Sequence, residues 1–453
     1  MVGARSKSPY ASVPLRFYDI PLYQHHRQAF SHQLKSYASR PITPVDIQSL
    51  IEGGKAALEN PKSMLAEALA LYHELPTRLA KCAEDLQTLP YGLSDTEPIT
   101  IVRQLYENSF RDVTSCLPPT QHTETQFLAM IERILWRHNS VVPLIAQGIL
   151  QRKDYILQIN NGKLCPYVSK FLDNFYMSRI AIRILITHYI ALHYPQPNCV
   201  GNIALHLNPI PVMRHAAEDA ASICERTYGA APDVRFSFTT HASPDVAELE
   251  LGTELAKTLE HDDARGAGLS VSYVPNHLHH IIFELTKNSM RAVVERYGAN
   301  HYDLPPIELL VVSGEDALSI RISDTGGGIP PDHVGKLFSW LHTTASNSVQ
   351  NSLKNINYGH IELRSSIYRN SGVGIQRILS GKMEKKEPPV DDNLLRNETM
   401  GGIAPIAGFG YGLPLSRLYA RFFGGDISIK SVAGHGVDAY VSMPKLEHNR
   451  TKV

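Results

Sequence analysis

Five polar residues recur at helical spacing: His280, Glu284, Lys287, Asn288 and Arg291. Steps of four, three, one and three put them all on one face of a helix. Leu278, Ile281, Ile282, Leu285, Ala292 and Val293 make the opposite, apolar face. The amide oxygen of Asn288 is a neutral ligand that can complete an octahedral Mg²⁺ shell with phosphates and waters. Glu284 can take a proton from an attacking hydroxyl, and His280, one turn away, can tune its pKa. An ordinary solvated ladder of Glu, Asn and His would have the same spacing.

Two glycine-rich runs follow. Asp324-Thr325-Gly326-Gly327-Gly328-Ile329-Pro330 comes directly after a strand-like segment. An acid there can accept a hydrogen bond from an exocyclic amine such as adenine N6, and Gly326 and Gly328 let backbone approach a flat ring. A glycine turn opening a helix near Pro331 is the plainer reading. Gly408-Phe409-Gly410-Tyr411-Gly412-Leu413 runs into the periodic Leu415, Leu418, Tyr419 and Phe422. A glycine loop feeding a helix start offers free N–H groups and a positive dipole end to phosphates. It has no G-K-[ST] and no strand immediately before it, so it is neither a Walker A loop nor a dinucleotide fingerprint. A merely flexible loop is the alternative.

The elements that must hold these residues fall into two parts. From about Leu22 to Tyr228 the texture is helical, with proline-bearing breaks at Pro41–Pro44, Pro61, Pro90, Pro118-Pro119, Pro195–Pro197 and Pro209–Pro211. That pattern suits a helix bundle. After Ala230, Val234 to Phe238 alternates like a strand, a long helix covers about Asn276 to Tyr297, and two hairpins are expected. The first joins Ile307–Val312 to Leu318–Ser323; the second joins Asp426–Val432 to Val437–Met443. The class is α+β. Between the hairpins, about Ser346 to Met400 is polar and rich in Asn, Ser and Lys, the composition of a lid or a disordered insert.

With 453 residues the chain can bury two cores. Lys plus Arg equals Asp plus Glu, at 44 each, so bulk charge points to neither nucleic acid nor an anionic membrane. Cys82, Cys116, Cys165, Cys199 and Cys224 are scattered, without a C-x-x-C pair, which argues against a disulfide framework or structural zinc. No membrane span is expected: Ile180 to Leu192 is interrupted by Arg183 and His188 and reads as a buried helix. The first eighteen residues carry Arg5, Lys7 and Arg16 and no acid, which suits a mitochondrial transit segment or a frayed polar end.

Taken in order, the acid/amide helix, D-x-G-x-G, polar lid and G-x-G-x-G resemble the N, G1 and G2 boxes of the GHKL superfamily of gyrase, heat-shock chaperone, mismatch-repair and histidine-kinase ATPases. The runs His280 to Ala292, Gly408 to Arg421, Arg137 to Pro143 and Phe175 to Ile180 are more narrowly similar to the mitochondrial pyruvate and branched-chain α-ketoacid dehydrogenase kinases. The similarity extends from about Asp19 to Met443.

That resemblance implies a four-helix-type bundle at 19–229 and a Bergerat-type ATP-binding domain at 230–445. A lid would lie at about 341–407, a targeting or flexible segment at 1–18 and a tail at 446–453. It implies a serine kinase that inactivates the E1 component of pyruvate dehydrogenase in the mitochondrial matrix, using ATP and Mg²⁺. Glu284 would be the general base with His280 as its partner, Asn288 the Mg²⁺ ligand and Asp324 the adenine contact. Lys287 and Arg291 would assist with charge, Thr343 and Thr344 would open the lid, and Gly408 to Leu413 would surround the phosphates. His138 and Arg179 match an allosteric small-acid pocket, although each also suits structural pairing. The expected partners are E1, the lipoyl domain of the E2 core and a second copy of the chain. A branched-chain E1 kinase and a nucleotide-gated scaffold with little transfer are the competing readings. The ordinary protein-kinase motif set is absent.

The chain departs from the family pattern at three places. Gly434-His435-Gly436-Val437-Asp438 has valine where the family has threonine near adenine. No tryptophan follows Trp340, so cross-dimer locking by an Asp-Trp tail is not expected. The polar insert is longer than the family lid.

Overall fold

The computed structural model describes residues 21–160, 164–240, 243–249, 269–299, 303–343 and 410–445. The expected targeting segment, the polar insert beyond Thr343 and the tail lie outside them. The elements are α1 (Pro21–Ala38), α2 (Ile47–Glu59), α3 (Pro61–Gln87), α4 (Glu97–Ser115), α5 (Glu124–Arg137), α6 (Val141–Ile159) and α7 (Pro166–Leu192). Next come β1 (Cys199–Val200), β2 (Ile203–Leu207), α8 (Pro209–Tyr228), β3 (Val234–Thr240), β4 (Ser243–Leu249), β5 (Val271–Tyr273) and α9 (Pro275–Tyr297). The last are β6 (Ile307–Ser313), β7 (Ala317–Asp324), the short α10 (Pro331–Val334), α11 (Gly412–Phe422), β8 (Asp426–Val432) and β9 (Gly436–Pro444).

Several prolines read as breaks are helix starts. Pro61 and Pro209 each open a helix, as do Pro166 and Pro275, because a first-turn N–H has no intrahelical partner to lose. Asn60 caps α3, its Oδ1 accepting from Lys62 N at 2.9 Å. Leu75, Leu79, Tyr106, Phe110 and Tyr176 centre the bundle core. α7 is long and apolar enough to cross a membrane by length and composition, but most of that stretch is buried against its neighbours.

A six-stranded sheet has the order β4-β3-β6-β7-β9-β8, with β3 and β6 parallel and the other pairs antiparallel. Both expected hairpins are present. α9 lays Leu278, Ile281, Ile282 and Leu285 into the core shared with Leu309, Ile320 and Val441. Gly298, at φ +86, ends the helix.

Two features differ from the helical reading of 22–228. β1 and β2 interrupt it and pair with β5 as a separate three-stranded sheet. Runs this short, between prolines, carry little periodic signal. α8 buries Ile210, Met213, Ala217, Ala220 and Cys224 in the sheet-side core, not the bundle core.

Candidate active site

Strand alternation builds the first part of the site. Leu318, Ile320 and Ile322 of β7 point inward, and the next inward position is Asp324. The carboxylate is therefore delivered to the edge of the core, facing α9. Ser289 Oγ donates to its Oδ2 at 2.8 Å and Gly326 N donates to its Oδ1 at 2.8 Å. The Val437 backbone amide, opposite Asp324 in the β7–β9 register, is a further donor. Burial still holds this carboxyl above its usual pKa, against the pull of those three donors.

The loop after Asp324 lies on α9 because both partners are small. A Cβ on Gly326 would come 2.5 Å from the Ala292 Cβ. Gly328, at φ +73, would meet the Val432 carbonyl oxygen at 2.3 Å. Arg296 fixes the far side: Nη1 donates to the Thr325 and His435 carbonyls at 2.7 and 2.8 Å, and Nη2 to the Gly434 carbonyl at 3.0 Å.

Glu284 and Lys287 form the second part. Lys287 Nζ donates to Glu284 Oε1 at 2.8 Å, and both side chains are largely buried. Burial pushes the Glu284 carboxyl up, but the charges of Lys287 and His280 and the Lys287 hydrogen bond outweigh it, leaving it below 4.5. Burial drives His280 down to about 4, so its ring is neutral at pH 7 and Lys287 carries the effect. The His280 ring stands edge-on to Tyr419, 5.1 Å away, and its Nε2 is buried without a partner among the described residues. Asn288, one turn beyond Glu284, is half-buried. Arg291 turns away: its Nε pairs with Glu295 at 2.7 Å, an oxygen that Tyr228 also holds.

The glycine loop closes on this pair. A Cβ on Gly412 would lie 2.1 Å from Glu284 Oε2, so only glycine lets the loop reach the carboxylate. A Cβ on Gly410, at φ +75, would lie within 2.9 Å of Leu341 and His342 backbone. Tyr411 is buried at the start of α11, whose N-terminus has no side-chain cap, and Leu413 packs partly into the sheet-side core. Thr343 is half-buried at the end of its segment. Thr344, Gly408 and Phe409 lie outside the described residues. The helix face and both loops thus surround one region, lined by a carboxylate–lysine pair, the start of α11 without a side-chain cap among the described residues, and a half-buried amide side chain. Ser289 and Arg296 belong to it and were not singled out from sequence. Ser289 is one step beyond Asn288, whereas Arg296 acts on residues up to 139 positions away.

Residues 44–207 match the family described as mitochondrial branched-chain alpha-ketoacid dehydrogenase kinase, and residues 273–366 match the histidine kinase-, DNA gyrase B-, and HSP90-like ATPase family. A mitochondrial pyruvate dehydrogenase (acetyl-transferring) kinase of Arabidopsis thaliana is 36% identical over 408 residues, 89% of this chain and 91% of its own. Isozyme 4 of Homo sapiens is 30% identical over 423 residues, 91% of this chain and 84% of its own. The Drosophila melanogaster kinase is 30% identical over 425 residues, 92% and 85% of the two chains. This chain belongs to the mitochondrial pyruvate dehydrogenase kinase family.

The ATPase-family match includes Glu284, Asn288 and Asp324, so a pyruvate dehydrogenase kinase fold carries a GHKL nucleotide domain here. A second cluster sits in the bundle of this kinase. His138 Nε2 and Ser109 Oγ are 2.9 Å apart, Arg137 Nη1 donates to the same hydroxyl at 2.9 Å, and Arg179 Nη2 donates to the His138 carbonyl at 3.0 Å. Burial, then the charges of Arg179, Arg183 and Arg137, lowers His138 to about 3. Arg179 is 5% exposed, and its Nε has no partner among the described residues. Arg137, Arg183 and Ser109 join the expected His138 and Arg179 in this cluster, and no spacing in the sequence links them to it.

Proposed function

We propose that this protein is an ATP-dependent protein serine kinase of the mitochondrial matrix that phosphorylates and inactivates the E1 component of pyruvate dehydrogenase. One observation carries the catalytic part: the Glu284–Lys287 pair abuts Gly412 at the start of α11, so a base and a phosphate-cradling loop share one wall. The relatives' names support the substrate.

In this reading Asp324 accepts from the adenine amine, while Gly326 and Gly328 permit close approach of the ring. The α11 amides and Gly410 to Leu413 cradle the phosphates. The Asn288 amide fits a Mg²⁺ shell, an ion that neutralises phosphate charge when bound. The serine oxygen bonds to the γ-phosphorus, the bond to the β–γ bridging oxygen breaks, and ADP leaves. The serine proton passes to the Glu284 carboxylate. A base held below the usual carboxylate range suffices because such transfers depend more on positioning than on proton abstraction.

A buried Arg179 with an unmatched Nε beside His138 suits a small carboxylate, since a buried cation is costly until paired. The bundle would also dock the lipoyl domain of the E2 core, and the kinase would act as a homodimer. The match of residues 44–207 favours branched-chain E1 as the second reading.

Transfer of labelled γ-phosphate to each purified E1, with wild type and Glu284→Gln, tests these readings. Labelling of pyruvate dehydrogenase E1 that the substitution abolishes is expected. Labelling confined to branched-chain E1 would move the assignment there. No labelling of either, with ATP still bound, would leave a nucleotide-gated scaffold.

A further inference from the structure

The inner faces of α9 and α11 meet with their sequences running in opposite senses. At one end Gly412 abuts Glu284, where a Cβ would lie 2.1 Å from Oε2. At the other end the Tyr419 ring stands 5.1 Å from the His280 ring and 4.4 Å from the His277 ring. Ser416 lies four residues after Gly412 and three before Tyr419, on the same face of α11. It therefore falls between those two contacts, at the level of His280. Ser416 is fully buried, and its Oγ has no hydrogen-bond partner among the described residues. His280 Nε2 and His277 Nδ1 are buried and unmatched in the same way. Hydroxyls on other helices bond back to their own backbone. Ser109 Oγ donates to the Leu105 carbonyl at 2.9 Å, and Thr187 Oγ1 to the Arg183 carbonyl at 2.7 Å. Ser416 Oγ does not take that bond to the Gly412 carbonyl, although a serine there can reach it.

We propose that Ser416 is a positioning residue that holds the His280 ring beside Glu284 through one buried water, bonded to Ser416 Oγ and His280 Nε2. This rests on reading Glu284 and His280 as the catalytic pair. Polar atoms sealed from solvent are costly unless bonded, and one water can satisfy two to four of them. His277 Nδ1, at the neighbouring position on the same face of α9, is a third partner for it. A hydroxyl suits this place because it can donate or accept as the water requires. The bond at Nε2 decides which ring nitrogen of His280 carries the proton, so Ser416 fixes both the tautomer and the tilt of the ring. It does so by orientation and not by charge: the charged residues of α11, Arg417 and Arg421, are both bonded to Asp426. Tyr419 closes the pocket, its ring set against both imidazoles.

A double-mutant cycle on the full chain tests this. Ser416→Ala removes the hydroxyl and keeps a good helix former. Its kcat for transfer to E1 should fall about fivefold, the scale of one lost hydrogen bond, with KM for ATP unchanged. His280→Phe keeps a ring in place and removes Nε2. In that background Ser416→Ala should cost nothing further, because two residues that act through one bond do not add. If His280→Phe transfers too slowly to measure, the cycle is read on Tm, where the two losses should overlap in the same way. A high-resolution crystal structure of the unsubstituted chain should show water density between Ser416 Oγ and His280 Nε2, and Ser416→Ala should lose it. An equal fall in kcat with and without His280 would place the effect of Ser416 elsewhere and overturn the proposal. So would an unaltered kcat with a lowered Tm, which leaves packing alone, or a Ser416 hydroxyl bonded to the Gly412 carbonyl with no density beyond it. Absence of transfer by the unsubstituted chain to any E1 would instead remove the catalytic reading of Glu284 and His280, and the role of Ser416 with it.

Discussion

Lys287 Nζ sits 2.8 Å from Glu284 Oε1, one helical turn away and largely buried with it. The pair is the main reason that a carboxyl in a desolvating site remains charged. Lys287→Met should leave burial unopposed and raise the Glu284 pKa. The acid limb of the kcat/KM profile should then move to higher pH, because the carboxylate is the active form. A pH–rate profile with an unmoved acid limb would separate Lys287 from Glu284.

Gly412→Ala places a methyl where Glu284 Oε2 now lies, at 2.1 Å. The carboxylate or the loop must move by an ångström or so. Phosphoryl transfer should fall about 100-fold, the usual consequence of such a displacement. Comparing transfer with ATP affinity measures it: a fall in affinity alone would place the damage at the phosphates and not at the base.

Arg296 holds three carbonyls, two of them on the β8–β9 turn. Arg296→Lys keeps the charge but cannot reproduce a fork with several fixed donors. ATP affinity should drop roughly fivefold, corresponding to about 1 kcal/mol, with kcat little changed. Equal affinity for wild type and the lysine variant would show that the loop keeps its shape without the clamp.

Val437 faces Asp324 across β7–β9. Val437→Thr adds a hydroxyl of nearly the same shape beside Asp324, the proposed adenine contact. ATP should bind about threefold to tenfold more tightly, the return on one additional hydrogen bond. Competition between the two variants for labelled ATP checks this, and weaker binding would show that the hydroxyl faces away from the ring.

Burial lowers several histidines, among them His138 and His277 to about 3 and His280 to about 4. In the unfolded chain each titrates near 6.5. The unfolded state therefore binds more protons below that pH, and stability falls with acidification. The loss should approach roughly 1.4 kcal/mol per histidine for each pH unit below about 6.5. Thermal unfolding from pH 7.5 to 5.0 should show this slope, and His277→Phe should flatten it. A Tm independent of pH across that range would contradict the buried neutral assignment.

Much of the site can be read from local periodicity. Asp324 follows Leu318, Ile320 and Ile322 at two-residue steps, so a half-buried strand delivers it to the inner face. Glu284 and Asn288 follow from the helical repeat. The same repeat placed Arg291 with them, but its long side chain is held by Glu295 instead. Contacts that join distant segments leave no such trace. Arg296 meets Gly434 across 138 residues, and Trp340 meets Asp173 across 167. α8 has an unmistakable apolar stripe, but a stripe does not say which core it faces.

The placement of α8 bears on how the chain can be divided. A fragment beginning at residue 230, where the texture turns from helices to strands, would lack α8 and β2. The α9 surface covered by Met213, Ala217 and Ala220 would meet water, and β5 would lose its hydrogen-bonded neighbour. A workable nucleotide-binding fragment must therefore begin before Cys199, inside what the sequence presents as the other half of the protein.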